Sequence, residues 1–263
     1  MIGPFELDWL GGAAASRFRR ARPSTEAIAF APFGHELDPA LAAIARAAWT
    51  EGAFSEYASA AAFAALTAAL LEAGAPIDLV AMAADFVVDE LAHVELNARL
   101  AMTVGGAAPH LVDLEALAPI AAPGPAIARA AELAIRTCAI GENLSVPVLA
   151  RAARSARQPA ARAVLDRIVR DEGPHARLGA MVLAWAGDRL APHRASLGAA
   201  ARRAIAGYAP LWRDEPAVED PRDAARDVAR DASRAPRGAW TGADLGLLDA
   251  RAHRRILRRA LRT

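Results

Sequence analysis

Two short stretches share one pattern of chemically capable residues. Asp89-Glu90-Leu91-Ala92-His93 returns as Asp171-Glu172-Gly173-Pro174-His175, each a Glu-x-x-His with an Asp just before the Glu. On a helix, residues i and i+3 share a face at about 5–6 Å, so a carboxylate and an imidazole can grip one ion. Two such pairs, joined by one Glu from each of two further helices, make a two-metal carboxylate site. A single Glu-x-x-His is weak evidence, because a solvated surface pair has the same spacing. Two copies with matching Asp residues are a stronger signal.

The candidates for the two remaining carboxylates are Glu56 and Glu142. Glu56 precedes Glu90 by 34 positions and Glu142 precedes Glu172 by 30. Each interval spans one antiparallel helical hairpin, so both ends return to the same depth in a bundle. Four carboxylates on inward-facing stripes are costly to bury unpaired. Two divalent ions would neutralise them, and oxygen-rich ligation with one imidazole per metal suits Fe(II) or Mn(II). Metal-bound histidine usually donates its other ring N–H to a carboxylate, the role expected of Asp89 and Asp171.

The elements that must position these residues are legible from their punctuation. Asp38-Pro39 is a helix cap followed by proline at the first helical position. The helix it opens should run to about Glu72 and stop at Gly74-Ala75-Pro76. Its apolar stripe (Ile44, Ala48, Trp49, Ala53, Ala60, Phe63, Leu66, Leu70) includes Glu56, whereas Glu51 turns outward. A second helix from near Pro76 carries the first motif and ends at Gly105-Gly106. Residues 109–120 suggest a short helix in a long crossover. Pro123-Gly124-Pro125 opens a third helix, to about Arg157, with Glu142 in its middle. Gln158-Pro159 turns the chain into a fourth helix carrying the second motif and ending near Gly187. A fifth helix is expected over 189–206.

The chain therefore divides into an irregular lead-in over 1–37, an all-α four-helix bundle with a long crossover over 38–207, and a linker with a basic C-terminal helix over 208–263. In the lead-in, His35 and Glu36 fall outside any clear helix and are not expected to bind metal, while Phe5, Trp9, Phe30 and Phe33 should pack on the bundle. Trp212 and Trp240 suggest that parts of the last segment dock on the body. The amphipathic tail over 243–262 should pack on the bundle or on a second copy of the chain, making a homodimer.

Composition agrees. Of 263 residues, 54% are hydrophobic and 23% charged, ample for a core, and alanine, leucine and arginine favour helix. There is no lysine; all 31 basic residues are arginine. One cysteine excludes a disulfide framework and fits a reducing compartment. A net charge of +1 argues against a nucleic-acid partner. No signal-peptide pattern opens the chain, and charges break the apolar stretches short of the roughly 20 residues that cross a bilayer. A cytoplasmic protein without a membrane partner is the expectation.

The hairpins WTEGAFSEYASAAAF/VVDELAHVEL and AIGENLSVPVL/VRDEGPHARL resemble the ferritin-like di-iron carboxylate superfamily over about residues 39–187. The resemblance implies Glu56, Glu90 and His93 on one metal and Glu142, Glu172 and His175 on the other, with Glu90 and Glu172 bridging. It further implies crossed pairing, Asp89 to His175 and Asp171 to His93. The radical-generating subunit of ribonucleotide reductase carries Tyr four residues after its first motif His, where this chain has Asn97, and commonly Asp where it has Glu56. The arylamine N-oxygenases add a His one turn before the second-motif Glu, where this chain has Ile168. The symmetric motif pair is more similar to bacterial di-iron hydroxylases than to shell-forming ferritins.

Pro147, and Gly173-Pro174 inside the second motif, should distort their helices and open room beside the metals. Cys138 and Val146 should line that cavity, bordered by Tyr57 and Ile168. The implied activity is that of an O₂-activating di-iron oxidase or oxygenase, using two Fe ions or a mixed Mn/Fe pair. It would take a small organic substrate and an external electron donor, for hydroxylation, N-oxygenation, desaturation or oxidative cleavage. The alternative is an iron-oxidising or peroxide-scavenging protein that yields no organic product.

Overall fold

The computed structural model describes residues 2–117, 119–209 and 239–262. The chain is mostly helical, and two of its long helices begin where a side chain satisfies one of the first orphan N–H groups. Asp38 accepts from the Ala40 N–H at 2.8 Å, and from that cap α2 runs Pro39–Glu72. Gly74, at φ 65, turns the chain back into α3, Ile77–Thr103, which lies along α2. Gln158 caps α6, Pro159–Ala186, by accepting from the Ala161 N–H at 2.7 Å. Between them, α4 (Ala126–Ala134) leads through a π-helical segment (Ile135–Glu142) into α5 (Asn143–Ser155), all one continuous helical run. A 3₁₀ turn, Gly187–His193, connects to α7, Arg194–Gly207.

Two apolar layers form the interior. One gathers Phe33, Trp49, Leu96, Leu100 and Ile168; the other gathers Phe63, Leu66, Phe86, Leu133, Cys138 and Leu178. Along α2, Glu56 falls between Trp49 and Phe63. Along α3, Glu90 and His93 fall between Phe86 and Leu96, and along α6, Glu172 and His175 fall between Ile168 and Leu178. The polar site is thus sandwiched between oily layers. Fully burying one such large side chain stabilises the fold by about 1.5–3 kcal/mol.

Three local expectations need correction. The lead-in is not mostly irregular: it holds α1 (Gly12–Ala21) and the strand β1 (Ile2–Pro4). Among the described residues, 109–120 form no α-helix and only a single 3₁₀ turn, Leu114–Ala116. Leu111–Asp113 is a strand, β2, paired antiparallel with β1, with Gly3 opposite Val112. The residues alternate, Val112 buried and its two neighbours exposed, which suits a half-covered strand. Phe5 continues the ribbon through its N–H to the His110 carbonyl (2.8 Å) and packs its ring on Phe54 and Tyr57 of α2.

The third correction concerns distortion. Pro147 and Pro174 lie inside helices that run uninterrupted around them, and the widened turn lies earlier, at Ile135–Glu142. The Asn143 side-chain amide reaches the carbonyls of Cys138 and Ala139 at 3.4 and 3.2 Å, bracing the segment's C-terminal end. Gly179 of α6 packs against this segment so closely that a Cβ there would meet Ala139 N and Cys138 Cβ at 3.0 Å.

After the residues left undescribed, the chain returns on the outside of the bundle. Trp240 donates from Nε1 to Glu36 Oε2 at 3.1 Å and lies beside Phe33, while Trp212 falls outside the described residues. The last helix, α8 (Ala250–Ala260), buries Leu257 among Ile140, Leu144 and Tyr208. Alanine makes Pro39–Glu72 and Ala126–Ser155 long and apolar enough to pass for membrane spans on composition alone. Both contribute residues to the two interior layers.

Candidate metal centre

The geometry draws all six predicted ligands toward one buried point. Glu90, His93 and His175 are inaccessible to solvent, Glu172 and Glu142 nearly so, and Glu56 stands at the rim with its side chain 14% exposed. His93 turns Nδ1 inward, 3.4 Å from Glu172 Oε1, 3.6 Å from Glu90 Oε2 and 3.8 Å from Glu56 Oε2. His175 turns its own Nδ1 to the same two central glutamates, 2.8 Å from Glu90 Oε1 and 2.9 Å from Glu172 Oε2. Potential ligand atoms of Glu56, Glu90, His93 and Glu172 all lie within 4.8 Å of one another, so this set could hold a metal ion. Glu142 approaches from the end of the π-helical segment, beside Glu172, with Ser145 Oγ donating to its Oε2 at 3.2 Å.

The outward ring nitrogens are paired across the motifs. His93 Nε2 lies 3.1 Å from Asp171 Oδ2 and His175 Nε2 lies 3.5 Å from Asp89 Oδ2. Each Asp therefore serves the imidazole of the other helix, leaving both Nδ1 atoms free to face the carboxylates. Behind the Asp residues stand two arginines that sequence reasoning passed over. Arg167 Nε donates to Asp171 Oδ2 at 2.6 Å, and Arg22 Nε donates to Asp89 Oδ1. Arg167 has a local signal, one turn before Asp171 on the same helix. Arg22 has none, since 67 residues separate it from Asp89.

Burial and mutual charge perturb the cluster's titrating groups strongly. Burial pushes Glu56 up to about 8, against the pull of His93. Burial, then the charges of Glu172 and Glu90, hold Glu142 well above the carboxylate range. For Glu172 burial again opposes ionisation, but His175 and His93 outweigh it and hold the group at about 2. Burial disfavours the charged imidazoles, yet Asp89, Glu172 and Glu90 raise His175 to about 11, and Asp171 with the glutamates raises His93 well above its ordinary value.

The residues fit a metal on a simpler ground. Both carboxylate oxygens of Glu90 and Nδ1 of His93 are buried without an aligned hydrogen bond. Leaving such groups unsatisfied costs about 1–3 kcal/mol each, more when charged. A bound cation would satisfy all of them.

The other residues singled out in the sequence fall as follows. Cys138 is buried in the same apolar layer as Phe63 and Phe86, whose rings lie 5.1 and 4.1 Å from the His175 ring. Burial, with the charges of Glu142 and Glu90, pushes its thiol well up, so it stays protonated. Ile168 belongs to the opposite layer, and Val146 is half-buried in the first turn of α5. Tyr57 packs on Phe5 of the N-terminal ribbon. Asn97 spends its amide on the His93 carbonyl at 3.1 Å. Glu36 accepts from Trp240, and His35 shares its short 3₁₀ turn.

No family model matches the chain, and no curated protein or solved structure does either.

Proposed function

We propose that the chain is a ferritin-like carboxylate protein holding two metal ions, Fe₂ or a mixed Mn/Fe pair, and that it works as an O₂-activating oxidase or oxygenase on a small organic substrate. In the oxygenase form, one oxygen atom enters the substrate, the other leaves as water, and an external donor supplies two electrons. The observation that carries this reading is the shared aim of two imidazoles. His93 and His175, on separate helices, turn Nδ1 toward the same two buried glutamates while Nε2 of each rests on an Asp. The order Glu, Glu-x-x-His, Glu, Glu-x-x-His on successive helical runs is that of the di-metal bundles.

His93, Glu90 and Glu56 would hold one ion and His175, Glu172 and Glu142 the other, with Glu90 and Glu172 reaching both. When bound, the metal pair supplies the redox equivalents and Lewis acidity by which O₂ is reduced. The chain's own residues set the conditions. Asp171 and Asp89 orient the imidazoles and keep Nδ1 pointed inward. Ser145 steadies the Glu142 carboxylate, while Glu56 sits where it can take up or release a proton toward solvent. Phe63 and Phe86 exclude water on the His175 side, which favours an apolar substrate portion there.

The test is single-turnover oxidation. Protein loaded with Fe(II) and chemically reduced is exposed to ¹⁸O₂ with a panel of small aromatic and aliphatic compounds, and products are read by mass spectrometry. A labelled, desaturated or cleaved product formed by the wild type and abolished by Glu172→Ala supports the reading. Iron oxidation with no organic product across the panel favours the iron-oxidising or peroxide-scavenging alternative.

A further inference from the structure

The two halves of the centre are supported differently. Behind His93, Asp171 is held by Arg167, four residues earlier on the same helix, and both His93 Nε2 (3.1 Å) and Arg167 Nε (2.6 Å) converge on its Oδ2. Behind His175, Asp89 meets the imidazole at a longer 3.5 Å, and its other oxygen is taken by Arg22, which arrives from the N-terminal segment, with Arg167 Nη2 farther off at 3.8 Å.

Arg22 is well prepared for the task. It ends α1, and its carbonyl is fixed by the N–H and hydroxyl of the buried Thr25 at 3.2 and 2.8 Å. Its guanidinium, 13% exposed, forks over one turn of α3: Nε on Asp89, Nη2 on both the carbonyl and the side chain of Asp85, each at 2.9 Å. The planar fork reads the two positions at once, a geometry a point charge cannot reproduce. α1 itself buries no residue fully, so its arginine is a specific link to the centre and not a by-product of apolar packing.

We infer that Arg22 is a positioning residue for one of the two metal positions: by holding Asp89 behind His175, the N-terminal segment tightens the His175 half of the centre. This rests on the two-metal reading above. The consequence is an unequal pair, in which loosening the hold of Arg22 on Asp89 releases one ion before the other.

The test is anaerobic titration of the full chain with Mn(II), followed by EPR. Wild type should bind two ions and show the signal of an exchange-coupled pair. Arg22→Ala should weaken one binding step by about tenfold or more, the size of effect seen when an outer support of a metal ligand is lost. The other step should be unchanged, and at limiting metal the signal should become that of an isolated ion. Arg22→Lys should recover part of the loss. Asp85→Ala, at a position whose side chain is 63% exposed, should weaken the same step to a smaller degree. Both steps weakening together, or neither changing, overturns the inference and leaves the two-metal centre intact. A wild type that takes up no second ion overturns the two-metal reading and the inference with it.

Discussion

His93 and His175 stand on different helices with their ring centres 6.1 Å apart, and each turns Nδ1 toward Glu90 and Glu172. At Nδ1 the two imidazoles share the same pair of central carboxylates. The two central glutamates belong to both, which is the arrangement a pair of ions bridged by carboxylates needs.

Glu90 is the residue whose loss should separate metal binding from folding. Both of its oxygens are buried without an aligned hydrogen bond, while His175 also has Glu172 and Asp89. Glu90→Gln keeps the shape, replaces one of two buried oxygens that lack an aligned partner, and removes a metal-binding carboxylate. Differential scanning calorimetry should show a metal-free Tm no lower than wild type, and the rise in Tm on adding Fe(II) or Mn(II) should vanish.

Metal uptake should release protons. At neutral pH, burial keeps Glu56, at about 8, mostly protonated, and the carboxylates around His175 keep it charged, at about 11. Ligation requires the deprotonated forms. Affinity should rise between pH 6 and 8, and isothermal titration in buffers of different ionisation enthalpy should report the protons released. A pH-independent affinity with no buffer dependence would contradict this.

The same groups set how stability responds to pH without metal. Glu56 is raised above its ordinary 4.5, so its contribution is full below 4.5 and fades as pH climbs through about 8. His175 is raised above 6.5, so its contribution begins to fade above 6.5 and is gone above about 11. Glu172 is lowered, and its contribution, full above 4.5, is lost only as pH falls through about 2. Metal-free protein should therefore melt lower at pH 8.5 than at pH 5.5, and chelated samples heated at both values check it.

Gly179 marks where α6 and the π-helical segment touch. A methyl group there would meet Cys138 Cβ and Ala139 N at 3.0 Å. Gly179→Ala should destabilise by about 1–3 kcal/mol, the usual cost of overpacking, in urea unfolding. It should also weaken metal binding, because the displaced segment carries Glu142.

Much of this was legible in residue order. Asp38-Pro39 and Gly74 bound α2 where expected, because caps and turns are local chemistry. The Glu and His positions could be assigned to a common depth because hairpin lengths are set by helix rise. What escaped was long-range or irregular. Arg22 reaches Asp89 across the chain with no spacing rule to announce it. Leu111-Val112-Asp113 is a strand only because Ile2–Pro4 pairs with it. The distortion expected at the prolines sits instead at Ile135–Glu142, near the close approach of Gly179 and the carbonyls that Asn143 serves, neither of which a proline count reveals.

The central claim is a two-metal centre, and anaerobic ⁵⁷Fe(II) loading read by Mössbauer spectroscopy tests it most directly. The account predicts about two irons per chain, bound in wild type and lost in Glu172→Ala. Wild-type protein that retains no near-stoichiometric iron or manganese after reconstitution, and behaves as Glu172→Ala does, would contradict it.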